Sequence, residues 1–117
     1  MVRIPVVIFN NLQLSTAVAG ATSVVPDAVS LQTISAATLN NTSGAAVTVD
    51  LYIVPSGGTA GAANQIASAL SVPMSGSAPT IVSALIAQTI PPGGTLQAKA
   101  SAGAAVSIFV SGYRTTL

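Results

Sequence analysis

The sequence predicts an all-β protein, a single β-sandwich or jelly-roll-like domain of short antiparallel strands. Three observations lead there. Clusters of Asn, Gly, Pro and Ser cut the chain into short segments, the spacing of a sandwich or barrel. Val47, Val49, Leu51 and Ile53 alternate with Thr48, Asp50 and Tyr52, a period of two with one face buried. Val106, Ile108 and Val110 alternate with Ser107, Phe109 and Ser111 in the same way. The length of 117 residues fits one domain.

Taken in order, residues 3–9 are rich in β-branched side chains and read as a strand, and Pro5 assigns it to a sheet edge because proline cannot donate to a ladder. Asn10-Asn11 reads as a turn leading to a second strand over 12–17, and 19–27 reads as loop, punctuated by Gly20 and Pro26. A strand follows over 31–40, a turn at Asn41-Thr42-Ser43-Gly44, and the strand 47–54, ended by Pro55-Ser56-Gly57-Gly58. Residues 59–64 form a small-residue loop. Residues 65–72 fit a strand or a short helix, because Ile66, Ala67, Ala69 and Leu70 match neither period cleanly. Residues 73–79 read as a connection. Residues 80–90 favour a strand with a helical turn near Leu85. Pro91-Pro92-Gly93-Gly94 is a strong turn signal, and 95–100 and 106–111 are the last two strands.

One stretch recurs. Residues 42–49 (TSGAAVTV) match 101–108 (SAGAAVSI) nearly position for position. Each lies between two strand candidates, which predicts the same hairpin turn twice, with Gly44 and Gly103 supplying a positive φ.

Composition excludes more than it suggests. Cysteine and histidine are both absent, which removes disulfides, thiolate metal sites, cysteine nucleophiles, the commonest general base and the usual pH switch. The acidic side chains are Asp27 and Asp50 alone, too few and too far apart in sequence for an acid/base pair or a calcium cage. Three cations and a net charge of +1 cannot supply the phosphate neutralisation that nucleic-acid binding needs. Hydrophobic residues make up 50% of the chain and charged residues 4%, against about 25% charge in an ordinary globular domain. Yet no apolar run reaches the 18 residues or so of a membrane span, and the start of the chain does not read as a signal peptide. Abundant Val, Ile and Leu with minimal charge argue against disorder. A domain of this size buries only about two-thirds of its unfolded surface, so a chain this poor in charge is expected to bury more between subunits.

The motifs that resemble chemistry dissolve on inspection. The 54–59 and 92–95 stretches are glycine-rich but lack the Gly-Lys-Ser/Thr ending that reaches phosphates, and read as strand-ending turns. Asn40-Asn41-Thr42 and Asn41-Thr42-Ser43 fit the N-glycosylation pattern, but a tight turn explains them better. No serine or threonine has a histidine to activate it, and Lys99 and Asp50 sit on alternating strands, where a solvated face or a cross-strand pair is the expected role.

Residues 41–49 (NTSGAAVTV), 52–58 (YIVPSGG) and Ala63-Asn64, with 91–102 (PPGGTLQAKASA), Val106-Ser107 and 111–113 (SGY), resemble a family of small tailed-bacteriophage virion proteins. The resemblance spans roughly 35–113; the first 30 residues match it less well. It implies a compact β-sandwich and a place among capsid cement or decoration proteins. On that basis the chain is expected to have no catalytic, cofactor or metal site and to sit on the capsid surface. It would form a trimer or dimer and bridge major capsid protein subunits or other virion proteins, with neither nucleic acid nor membrane as partner. A neck, tail or fibre-base component is the alternative, and a carbohydrate-binding surface module a weaker one, since four aromatics offer few sugar platforms. The domain is expected to divide into residues 1–30, a strand or arm and loop able to dock on a neighbour, and a sandwich core at 31–117. The interface candidates are Val2, Ile4, Val6, Val7, Ile8, Phe9, Leu12 and Leu14 in the N-terminal segment, and the loops at Gly57, Gly58, Pro91 and Pro92.

Overall fold

In the computed structural model, residues 3–17, 21–25 and 29–116 are described. Among the described residues nine strands run in the order β1 (Arg3–Gln13), β2 (Thr22–Val24), β3 (Ser30–Asn41), β4 (Val47–Val54), β5 (Gln65–Val72), β6 (Thr80–Ile81), β7 (Thr89–Ile90), β8 (Thr95–Ala100) and β9 (Val106–Thr116). One sheet, A, has the order β1-β9-β3-β6, with β7 also on β3; the other, B, has the order β2-β8-β4-β5. All pairings are antiparallel.

The order has a simple logic. β1 pairs with β9, β2 with β8, β3 with β6 and β7, and β4 with β5. The chain is thus one long antiparallel hairpin with its tip between β4 and β5, rolled so that successive strand pairs fall alternately in the two sheets. With β6 and β7 counted as one interrupted strand, this is an eight-stranded jelly roll. The inward residues of both sheets form one core: Ile34, Leu39, Val106, Ile108 and Val110 from A meet Val49, Leu51, Val72, Leu96 and Ala98 from B. Small side chains such as Ala98 and Ala100 let the sheets close where larger ones face them.

The segments Asn10-Asn11 and 19–27 differ from their sequence reading; 65–72 and 80–90 resolve what it left open, the latter with the expected helical turn near Leu85. Asn10-Asn11 is not a turn. β1 continues through it to Gln13, with two residues opposing Phe109 of β9 and Asn11 at φ 48. This is a β-bulge, which uses the same asparagine tolerance of left-handed backbone that a turn would. The 19–27 loop contains the short edge strand β2; Gly20, Pro26 and Asp27 lie outside the described residues. Residues 65–72 are a strand whose period is broken by two register shifts against β4, which explains the mixed spacing of its apolar residues. At 80–90 two short strands flank a helical turn held by Leu85 N–H to Val82 O (3.1 Å) and Gln88 N–H to Leu85 O (3.0 Å).

The repeated stretches are not hairpins. Residues 42–46 carry the chain from sheet A to sheet B and 101–105 carry it back. They pack side by side: Thr42 N–H donates to Ala105 O (2.8 Å), and Ser101 N–H to Thr48 O (2.8 Å) while Thr48 N–H donates to Ser101 Oγ (3.0 Å). Neither Gly44 nor Gly103 takes a left-handed backbone; Ala104 does, at φ 57. Asn41, buried at the first corner, accepts from the Ser43 N–H (2.8 Å) and donates through Nδ2 to Ala45 O (2.7 Å) and Val72 O (3.2 Å). Its glycosylation-like setting is therefore turn chemistry.

Sheet A bends along one line. An extra residue in β1 (Ile8) and one in β3 (Ser35) both fall beside Ser111 of β9, so the central strand is flanked by a bulge on each side. The bulge lets Ile8 and Phe9, adjacent in sequence, both reach the core. Next to it, a Cβ on Gly112 would overlap the Thr33 carbonyl oxygen, so β3 and β9 can approach this closely only with glycine there.

Candidate interaction surface

The N-terminal candidates divide among three environments. Ile8, Phe9 and Leu14 lie in the core of the same chain. They are corrected as interface residues: β1 pairs with the chain's own β9, and the bulge turns Ile8 and Phe9 inward. Val6 and Leu12 are half-buried against that core. Ile4 and Val7 are exposed. Val2 lies outside the described residues. The segment 1–30 contributes an edge strand and core side chains to the sandwich, including Ala21 and Val25 from its later part. The free edge of β1 is guarded by Pro5 and two bulges, devices that blunt strand addition.

The two loop candidates are brought together. Pro55–Gly58 and Pro91–Gly94 meet at the end of the sandwich where β4 finishes and β8 begins. A Cβ on Gly93 would stand 3.0 Å from Ser56 Oγ, and one on Gly94 2.9 Å from Val54 O. Val25 N–H donates to Gly94 O (2.9 Å), tying the end of β2 to the same cluster. Gly57 and Pro91 are exposed there, Gly58 is exposed while packing on Val54, and Pro92 is half-buried. Tyr52 and Val54, on the outer face of β4, are buried outside the main core cluster, and Gly58 of the following loop packs against Val54. Asn64 fastens this loop, accepting from the Gly61 N–H (3.0 Å) and donating to Thr59 O (2.8 Å).

Register assigns the two outer faces. That of sheet B carries Thr22, Val24, Thr95, Gln97, Lys99, Thr48 and Asp50. Asp50 and Lys99 are directly opposite and form an ion pair at 3.8 Å. The outer face of sheet A carries Pro5 and Val7 from β1, Phe109, Ser111 and Tyr113 from β9, Thr33, Ala36 and Thr38 from β3, and Ile81 from β6. Its one charge among the described residues is Arg3, whose guanidinium lies 4.3 Å from the centre of the Tyr113 ring. Val7 and Ile81 are 57% and 67% exposed.

Among the described residues no three His, Cys, Asp or Glu side chains gather to hold a metal ion, and no pocket is enclosed. No helix among them is long and apolar enough to cross a membrane. Sequence reasoning marked Val7 but missed Ile81 and Phe109. The alternation of β9 already put Phe109 on the face opposite Val106, Ile108 and Val110; nothing local placed Ile81 beside it. No family model, no curated protein and no solved structure matches this chain.

Proposed function

We propose that the chain is a non-enzymatic structural protein of a tailed-bacteriophage virion, a cement or decoration protein that bridges neighbouring major capsid subunits. The observation that carries this reading is the convergence of the loops 55–58 and 91–94 at one end of a rigid sandwich. Two short loops built largely from glycine and proline, without a charged side chain, make a small docking end that has little side-chain entropy to lose and no charge to desolvate on contact. The jelly roll adds support by fold-level analogy, since viral capsid domains use it, although lectins and cupins do too. The likeness of residues 35–113 to small virion proteins points the same way. No catalytic role falls to any residue.

The test is location and copy number. Quantitative mass spectrometry of purified virions should find this chain in a fixed, near-stoichiometric ratio to the major capsid protein, and electron microscopy should place it on the head. A handful of copies per particle, confined to neck or tail, would replace cement by the neck, tail or fibre-base alternative. Absence from the particle would end the virion reading.

A further inference from the structure

We propose that the outer face of sheet A is a self-association surface, on which a second copy of the chain packs face to face about a two-fold axis. This concerns the isolated chain and does not rest on which assembly it joins.

Charge distinguishes the two outer faces. Sheet B carries the Asp50–Lys99 pair, and at the end of β4 its outward Tyr52 and Val54 are already buried within the chain. Sheet A exposes Val7 and Ile81, with Phe109 and Tyr113 half-buried among Ser, Thr and Ala, and its sole described charge, Arg3, sits at one end of the face on Tyr113. A partner bringing charged groups to this face would have to desolvate them without compensation. The same face of a second copy brings none but Arg3. A two-fold axis lying in the plane of the face and crossing the strands sends the two Arg3 side chains to opposite ends, well beyond the screening length of about 8 Å, so they do not oppose one another.

The area reaches the lower end of what a specific dimer buries. β1, β9 and β3 abreast at ~4.8 Å spacing and ~36 Å of strand length give ~520 Å², and the two-residue strands β6 and β7 add ~60 Å², against the ~800 Å² per partner of a standard specific interface. The strand length is that of β9, with 11 residues. Sheets that stack in this way sit ~10 Å apart, with side chains interdigitating. Val7, beside Ser111, and Ile81, in the row Ile81–Thr38–Phe109, are the projecting apolar groups that would enter the partner's face. An isologous contact of this kind closes at two copies.

Sedimentation equilibrium of the full chain at tens of micromolar tests it. The wild type should sediment at twice its 11.4 kDa chain mass. Val7→Lys and Ile81→Lys should each halve that mass while keeping the far-ultraviolet circular dichroism and a cooperative melt, because both side chains are exposed in the single chain. Val24→Lys, at a site equally open on sheet B (55% exposed), should leave the dimer intact. A wild type that is monomeric throughout the micromolar range would overturn the proposal. So would a dimer broken by Val24→Lys and unaffected by both sheet A substitutions.

Discussion

The Asp50 carboxylate holds the backbone of Ala69 in place: Oδ1 accepts the Ala69 N–H at 2.7 Å. Ala69 sits at φ 51 in the bulge where β5 carries two residues against one on β4. The extra residue of a bulge leaves a ladder donor without its strand partner, and the carboxylate supplies the acceptor. The same side chain faces Lys99 across β4 and β8 at 3.8 Å, with both partners partly exposed. Two roles therefore meet on one residue, and their magnitudes differ.

Asp50→Ala should destabilise the fold by ~1.5–3 kcal/mol, the range for losing a hydrogen bond to a charged group. Asp50→Asn keeps an acceptor and should cost less. Lys99→Met should be almost neutral, since exposed ion pairs contribute ~0–1 kcal/mol. Urea melts of the three variants check the order. A Lys99→Met loss as large as that of Asp50→Ala would mean that the ion pair, not the bulge, is what Asp50 stabilises.

Gly112→Ala should be among the most damaging single-methyl additions in the chain. The new Cβ would overlap the Thr33 carbonyl oxygen, and β9 is a central strand with neighbours on both sides. Overpacking of this kind costs ~1–3 kcal/mol or more. Gly44→Ala, whose Cβ would meet nothing within 4 Å, is the control and should melt close to wild type.

Asn41→Ala should cost ~1–3 kcal/mol, because it takes the acceptor from the Ser43 N–H and a donor from the Val72 carbonyl at a buried corner, while the Ala45 carbonyl keeps the Ser43 hydroxyl. Asn41→Asp should be no better: it keeps the acceptor for Ser43 but turns a charged oxygen toward two carbonyls. Thermal melts of both, compared with the exposed neighbour Asn40→Ala, test this.

Removing residues 1–14 should abolish the cooperative melt rather than merely weaken docking. In sequence the N-terminal segment reads either as a strand or arm docking on a neighbour or as a core strand of its own sandwich; in the fold it supplies Ile8, Phe9 and Leu14 to the core. Phe9→Ala, a gentler version, should cost ~3–5 kcal/mol. A truncated chain that still melts cooperatively would restore the arm.

Much of the architecture was legible because alternation survives wherever a strand has regular neighbours. Thr95–Ala100 was read with its observed bounds, and the inward set Val47, Val49, Leu51 and Ile53 faces the core as its period required. The loops at Gly57-Gly58 and Pro91-Pro92 were visible as turns for the same local reason. Their meeting was not visible, because nothing in either loop encodes the other; it follows from the pairing of β4 with β8.

What the sequence determined by itself is therefore local: an all-β chain of short strands, its buried faces, its turn residues, and a composition without the groups that most catalysis and metal binding use. Tertiary structure decided what depends on distant partners. Asn10-Asn11 became a bulge instead of a turn because β9 was there to pair on both sides of it. The two similar stretches became adjacent corners instead of hairpins because β3 pairs with β9 and β4 with β8. Ile81 joined Val7 on one face because β3 and β9 lie between them. Side-chain period fixes which face of a strand is buried, but hydrogen bonding between strands far apart in the chain selects the neighbour, and the neighbour sets the surface.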